Sequence, residues 1–225
     1  MRFHFRSLNL LAPTALLLGV FMAPSVTMAQ IQLTNLTKAT ATANGLSDPG
    51  QGAYWLAVRF TTGADTYALN AITANLLQSA PGTLTADLYL ADGSGLPTGS
   101  SLTSFSIGAI GASLGDVTFT PNSATTLSAS TTYVLSLDPT GPGYWAWSGS
   151  LNSAGFDSPS GWSLVAGNIY SSDFGTSWSN LPIPLTTKLA VDASVVAVPE
   201  PSTAALLFGG AAGVVLVLRR RTRRT

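Results

Sequence analysis

The sequence predicts an all-β fold, an antiparallel β-sandwich of the jelly-roll kind, for the segment between residues 30 and 197. Apolar and polar residues alternate there with period two, no amphipathic helical period of useful length occurs, and glycine- and proline-rich turns separate the runs. A parallel sheet would need crossover helices, so short strands joined by turns favour antiparallel pairing. The predicted strands are 54–60, 71–77, 84–90, 116–120, 132–137, 144–147, 163–170 and 187–193.

Two of these runs show the alternation most clearly. The even-numbered residues of 54–60 are apolar or aromatic and share one face, so Arg59 is expected to turn outward. In 84–90 the even-numbered residues are again apolar, which turns Asp87 to the outer face. The pattern thus predicts the faces, while the pairing of the strands stays open.

Charge distribution excludes one class of partner. Residues 30–198 contain nine aspartates against Lys38, Arg59 and Lys188, a net charge of −6 that the overall balance of zero hides. Such a segment repels phosphate backbones and lacks clustered cations, so no nucleic-acid partner is expected. The chain has no cysteine, so packing alone must stabilise the domain.

Missing residue types restrict the chemistry of the domain. The only histidine is His4 and the only glutamate is Glu200, near opposite ends of the chain. Serine or cysteine nucleophile systems and the usual zinc sites therefore lack their partners. We expect no enzyme activity, no metal site and no cofactor. An aspartate-based glycoside hydrolase stays open as a remote alternative, although no spacing singles out a pair.

Residues 1–29 have the organisation of a signal peptide. Arg2 and Arg6 precede an apolar run, and small residues lead to a predicted signal peptidase site between Ala29 and Gln30. The expected partners are the secretory translocon and signal peptidase. An uncleaved N-terminal anchor is the alternative.

The other end of the chain predicts one transmembrane helix. Residues 203–218 form an uncharged apolar run of 16 residues, about 24 Å long as a helix. A basic tail, 219–225, follows and should stay on the cytoplasmic side, which places the domain on the periplasmic side of the inner membrane. Its cations are Arg219, Arg220, Arg221, Arg223 and Arg224.

A short motif precedes this helix: Pro199, Glu200, Pro201 and Ser202. Its prolines keep the segment extended, as a protease cleft requires. With the helix and arginine cluster, residues 198–225 resemble a PEP-CTERM sorting signal. The resemblance implies recognition by an exosortase, a membrane-embedded cysteine protease or transpeptidase of Gram-negative bacteria that make exopolysaccharide, which would cut near the motif. An ordinary C-terminal anchor is the alternative.

The middle of the chain resembles a second family. Residues 60–63, residues 86–90 with 95–99, and residues 127–133 form a strand-and-turn pattern similar to that of the choice-of-anchor R family. The resemblance implies a surface domain that occurs with interchangeable anchoring tails, and it brings no catalytic residues.

Two local features admit two interpretations each. Among the five tryptophans, Trp145 and Trp147 would share one sheet face and are candidate glycan contacts, or else they fill the core. The Asp92-Gly93-Ser94-Gly95 run is either a calcium loop or a hairpin turn whose aspartate accepts backbone hydrogen bonds, and we favour the turn.

Together these observations predict a non-enzymatic, exported cell-surface or extracellular-matrix protein. It would pass through the inner membrane transiently, be processed by an exosortase, and associate with exopolysaccharide or biofilm. A carbohydrate-binding module that recognises exopolysaccharide through exposed tryptophan or tyrosine is the alternative.

Overall fold

The computed structural model describes residues 30–47, 54–158, 161–183 and 185–196. The predicted signal peptide, the Pro-Glu-Pro motif, the C-terminal helix and the arginine cluster lie outside these residues. Within the described residues, no helix has the length and apolar character needed to cross a membrane.

The described residues form an all-β structure, as predicted, and every strand pair is antiparallel. A single 3-10 turn, Asn152–Ala154, accompanies the strands in this part of the chain. The strands are β1 (Gln30–Thr34), β2 (Thr42–Ser47), β3 (Trp55–Thr61), β4 (Tyr67–Ala80), β5 (Thr83–Ala91), β6 (Pro97–Ile107), β7 (Gly115–Pro121), β8 (Thr126–Leu127), β9 (Thr132–Thr140), β10 (Tyr144–Leu151), β11 (Ser163–Ser171), β12 (Ser179–Asn180), β13 (Leu185–Thr187) and β14 (Leu189–Val195).

The strands pair in two sheets. Sheet A has the order β1-β14-β4-β7, and β10 extends it by pairing with β4, β2 and β13. Sheet B has the order β5-β9-β3-β11-β12. Strand β6 pairs with β7 of sheet A and β5 of sheet B, so it connects the two sheets.

The main hydrophobic core is formed by residues from both sheets, as in a β-sandwich. Sheet B contributes the inward residues of β3, including Phe60, which stacks on Tyr133 with ring centroids 5.7 Å apart. Sheet A contributes Trp145 and Trp147, which are among the largest fully buried side chains. Because no disulfide is present, this packing is the main source of stability.

All eight predicted strands occur, but the described residues form fourteen strands, and some of the predicted ones are longer than expected. Strand β4 is twice as long as expected because the pairing partner changes along it, from β14 to β10 on one side. Strand β6 was missed because its exposed threonines and serines hide the apolar alternation. The turn that precedes β6 was predicted correctly.

The expected orientation of Arg59 is only half right. The side chain lies on the face opposite the main core, yet it is only 8% exposed because the β5–β6 turn and β11 cover it. Its Nη2 donates to the carbonyl of Ala166 at 3.3 Å, and burial lowers its pKa. Gly95, with φ of 79°, leaves room for the guanidinium, since a Cβ there would lie 2.8 Å from Nη1.

A second, smaller apolar cluster lies on the outer face of sheet B. It is centred on Ala57, Val134 and Ile169, and Tyr89 and Trp178 pack against it. Sheet B is consequently covered on both faces along part of its length. The uncovered part of the outer face forms the site described next.

Candidate functional site

A groove lies on the outer face of sheet B, and we refer to it as the aromatic groove. It encloses a cavity of about 340 Å3. Strands β3, β5 and β9 form its floor, the beginning of β6 forms one wall, and the loop after β11 forms the other. Its lining residues are Trp55, Thr85, Asp87, Tyr89, Pro97, Gly99, Asp138, Thr140, Phe174, Gly175 and Trp178.

Two carboxyl groups meet at the floor. Strands β5 and β9 are neighbours, with Asp87 opposite Ser136 and Thr85 opposite Asp138, so both aspartates project from the same face. The two carboxyls hydrogen-bond to each other, Asp87 also bonds Ser101, and the Ser136 hydroxyl donates to Asp138. Sheet register alone thus creates this acid pair.

Burial changes the protonation of the acid pair. Asp138 is 4% exposed, and burial raises its pKa to about 7, with the negative charge of Asp87 adding to the rise and the Ser136 hydrogen bond opposing it. Burial also raises the pKa of Asp87, against the hydrogen bonds to Asp138 and Ser101. Near neutral pH the two carboxyls therefore share a proton, as closely coupled acids do.

Tyr89 borders the acid pair from the same strand. Burial raises its pKa to about 12, and the nearby Asp138 and Asp87 charges contribute to the rise. The phenol consequently keeps its proton at physiological pH and can donate or accept a hydrogen bond in the groove.

A tightly bonded loop holds Phe174 over the groove. Asp173 accepts hydrogen bonds from the Ser171 hydroxyl at 2.8 Å, the Ser177 amide at 2.8 Å and the Ser177 hydroxyl at 2.6 Å, and these bonds lower its pKa. Phe174 has φ of 57°, a left-handed conformation that is rare for a bulky side chain, and it is 53% exposed. The loop thus presents an exposed ring in a strained backbone conformation.

Two tryptophans complete the aromatic lining. Trp55 is half-buried, donates from Nε1 to the carbonyl of Pro139 at 3.0 Å, and meets Phe174 edge to face with centroids 6.1 Å apart. Gly175, with φ of 79°, brings the loop against both indoles, because a Cβ there would lie 2.8 Å from Trp55 and 3.9 Å from Trp178. The loop backbone therefore packs against Trp55, whose indole is also anchored by its hydrogen bond to Pro139.

The predicted glycan contacts lie elsewhere. Trp145 is 1% exposed and Trp147 is 0% exposed, and Trp147 Nε1 donates to the carbonyl of Lys188 at 2.8 Å. Both side chains belong to the main core cluster between the sheets, which explains this burial. The assignment of these two rings as glycan contacts is therefore wrong, and the alternative, that they fill the core, is correct.

The Asp92 run is a turn, as favoured. The Asp92 carboxylate accepts hydrogen bonds from the amides of Ser94 at 2.8 Å and Leu96 at 2.9 Å. Among the described residues, no cluster of three or more histidine, cysteine, aspartate or glutamate side chains could hold a metal ion.

Sequence reasoning missed most of the aromatic groove. Trp55 and Trp178 were among the tryptophans considered, and Asp87 was expected on the outer face, but nothing indicated that Asp138 would lie beside it. A signal for Phe174 was present in the run Ser171-Ser172-Asp173-Phe174-Gly175, because serine, aspartate and glycine favour a tight turn that exposes the residue between them.

Comparison with known proteins bears on the C-terminal region. Residues 197–221 match the PEP-CTERM protein-sorting motif. The chain carries a PEP-CTERM sorting motif. The motif implies an exported protein, a membrane-anchored intermediate and processing by an exosortase. No curated protein matches the chain significantly.

Proposed function

We propose that this protein is a non-enzymatic component of the cell surface or extracellular matrix, delivered through exosortase processing and associated with exopolysaccharide or biofilm. The PEP-CTERM motif at residues 197–221 carries the proposal. The domain faces the periplasm while the tail is in the inner membrane, and it reaches the surface or the matrix after processing.

The ends of the domain are compatible with this route. Gln30, the expected first residue after signal peptide removal, pairs with Ser194 in adjacent strands. Val196, which directly precedes the motif, donates its amide to the carbonyl of Thr66 at 2.9 Å. Removal of either terminal segment therefore leaves the paired β1 and β14 in place.

The mass of the mature protein tests whether the tail is removed. We would express the full chain in hosts with and without a matching exosortase and measure the intact mass of the released or surface product. A C-terminus near residues 199–202 only in the host with the enzyme supports the proposal. Glu200→Ala should abolish this trimming, because Glu200 is the charged recognition element of the motif.

A product that keeps residues 203–225 in both hosts would overturn the sorting proposal and leave an ordinary membrane anchor. Trimming of Glu200→Ala at the wild-type position would remove Glu200 from the recognition element. Intact-mass measurement of the product distinguishes both results.

A carbohydrate-binding module is the second candidate function, and the aromatic groove favours it. The groove combines exposed aromatic surface with hydrogen-bonding groups in a concave site, as saccharide sites require. The remote alternative, an aspartate-based glycoside hydrolase, is disfavoured by the same site. Glycosidase carboxyls stand about 5 to 9.5 Å apart, whereas Asp87 and Asp138 hydrogen-bond directly.

A further inference from the structure

We propose that the aromatic groove binds a pyranose ring of an uncharged polysaccharide, stacked against Phe174 and hydrogen-bonded to Asp87. This inference rests on the second candidate function above and names its site and ligand class. It is independent of how the tail is processed.

The exposed ring of Phe174 is the first argument. Phe174 is 53% exposed in a left-handed backbone conformation, and such strain persists where surrounding contacts impose it. Here the Asp173 hydrogen bonds and the close approach of Gly175 to Trp55 impose it. The loop therefore maintains a flat apolar surface toward solvent, and that surface matches the C–H face of a pyranose.

The polar floor is the second argument. Asp87 is half-buried and reachable from the groove, while Asp138 lies behind it and is almost fully buried. The carboxyl oxygens of Asp87 accept hydrogen bonds from sugar hydroxyls, and the protonated Tyr89 phenol is a donor or acceptor beside them. Stacking from one wall with acceptors on the floor fixes the orientation of a ring that carries several hydroxyl donors.

Charge selects an uncharged ligand over an acidic one. The lining contains two aspartates and neither lysine nor arginine, and residues 30–198 carry a net charge of −6. A uronic acid in the groove would place a carboxylate beside Asp87 without a compensating cation. Repulsion of this kind is an effective source of specificity.

The groove and the C-terminal end of the described chain lie toward opposite ends of strand β3. Trp55 begins β3, and Thr61 ends it about 20 Å away. The chain leaves the domain beyond the Thr61 end, where Val196 bonds Thr66. The groove lies toward the Trp55 end, away from the last described residue, Val196.

Affinity electrophoresis of the full-length chain tests the proposal. The chain is held in a polyoxyethylene detergent, which contains no sugar, and run through gels containing β-glucan, dextran or galactomannan, with alginate and polygalacturonate as acidic polymers. We expect at least one uncharged polymer to retard the wild-type chain and neither acidic polymer to do so. Retardation by none of the uncharged polymers, or by an acidic one instead, would overturn the proposal.

Phe174→Gly is the decisive variant, because glycine accepts the left-handed conformation and only the ring is lost. We expect its affinity for the retarding polymer to fall about tenfold or more. Ser130→Gly is the matched control, since Ser130 also has a positive φ, 48°, but lies outside the groove lining. It should bind like the wild type. Circular dichroism checks that both variants fold, and equal binding by Phe174→Gly and the wild type would contradict the assignment.

The sorting proposal and the groove proposal can be contradicted independently of each other. Loss of binding with normal trimming overturns only the groove proposal, whereas binding without trimming overturns only the sorting proposal. The mass of the C-terminus and the mobility in the gel are independent readouts.

Discussion

The two pairs of tryptophans in this domain have opposite surroundings. Trp145 and Trp147 lie in the main core, on a strand with neighbours on both sides, and are nearly inaccessible to solvent. Trp55 and Trp178 are half-buried on the outer face of sheet B and line the aromatic groove. The same residue type therefore stabilises the fold in one place and forms a surface in the other. Topology decides between these roles, and the predictions below test the difference.

The largest effect is expected from truncation in the core. Trp147→Ala removes a fully buried indole and its hydrogen bond to Lys188, so it should lower the free energy of unfolding by roughly 3 to 5 kcal/mol. Trp178→Ala removes a half-buried ring and should cost about 1 to 2 kcal/mol. Urea unfolding followed by circular dichroism measures both. Equal costs for the two variants would show that the groove indole is as much a core residue as Trp147.

A smaller effect is expected from pH, through the acid pair. The pKa of Asp138 is raised from 3.8 to about 7, and that of Asp87 is raised too, so the folded chain binds more protons than the unfolded chain between these values. Stability from this pair is full below about pH 4 and falls as the pH rises to about 7. The loss for Asp138 is at most about 4 kcal/mol. Urea unfolding at pH 5, 6 and 8 measures it.

Asp138→Asn should remove most of this slope, because an amide does not titrate. Asp157→Asn is the control. Hydrogen bonds from Lys38 and Thr37 lower the pKa of Asp157, so the stability that this carboxylate contributes is lost only when the pH falls below the ordinary pKa of an aspartate. The control should keep the wild-type slope between pH 5 and 8. A slope that survives in Asp138→Asn would place its origin outside the acid pair.

The sequence predicted the faces of strands better than their surroundings. Alternation placed Phe60 inward and Asp87 outward, because side chains of a strand alternate whatever lies beside it. It did not predict how far each face is covered: Arg59 lies on the outer face as expected, but a turn about 36 residues further along the chain buries it. Leu90, which was expected inward, is 39% exposed. Alternation within one strand says nothing about what packs on either side.

The acid pair was unpredictable for a related reason. Asp87 and Asp138 meet because β5 pairs with β9, and strand order depends on how the whole chain folds. The sorting motif is the opposite case. It is a local sequence pattern, so a match to residues 197–221 identifies it without any structure. Local signals were readable, and signals that depend on strand pairing were not.

The smallest effect, and the sharpest, concerns the backbone at Phe174. In most strands and loops alanine is more stable than glycine, because glycine loses more freedom on folding. At φ of 57° the order should reverse, since a Cβ in the left-handed region costs about 1 to 2 kcal/mol. The free energy of unfolding of Phe174→Gly should therefore be about 1 kcal/mol higher than that of Phe174→Ala.

Ser130, at φ of 48°, should show the same reversal in Ser130→Gly and Ser130→Ala. Chemical denaturation of the four variants gives both differences. A reversal at Ser130 but not at Phe174 would mean that the loop adjusts once the ring is gone, and that the ring itself sets its conformation. A reversal at both positions would mean that the Asp173 hydrogen bonds hold the loop without help from the ring, so the phenylalanine side chain is not needed to set the left-handed conformation that presents it.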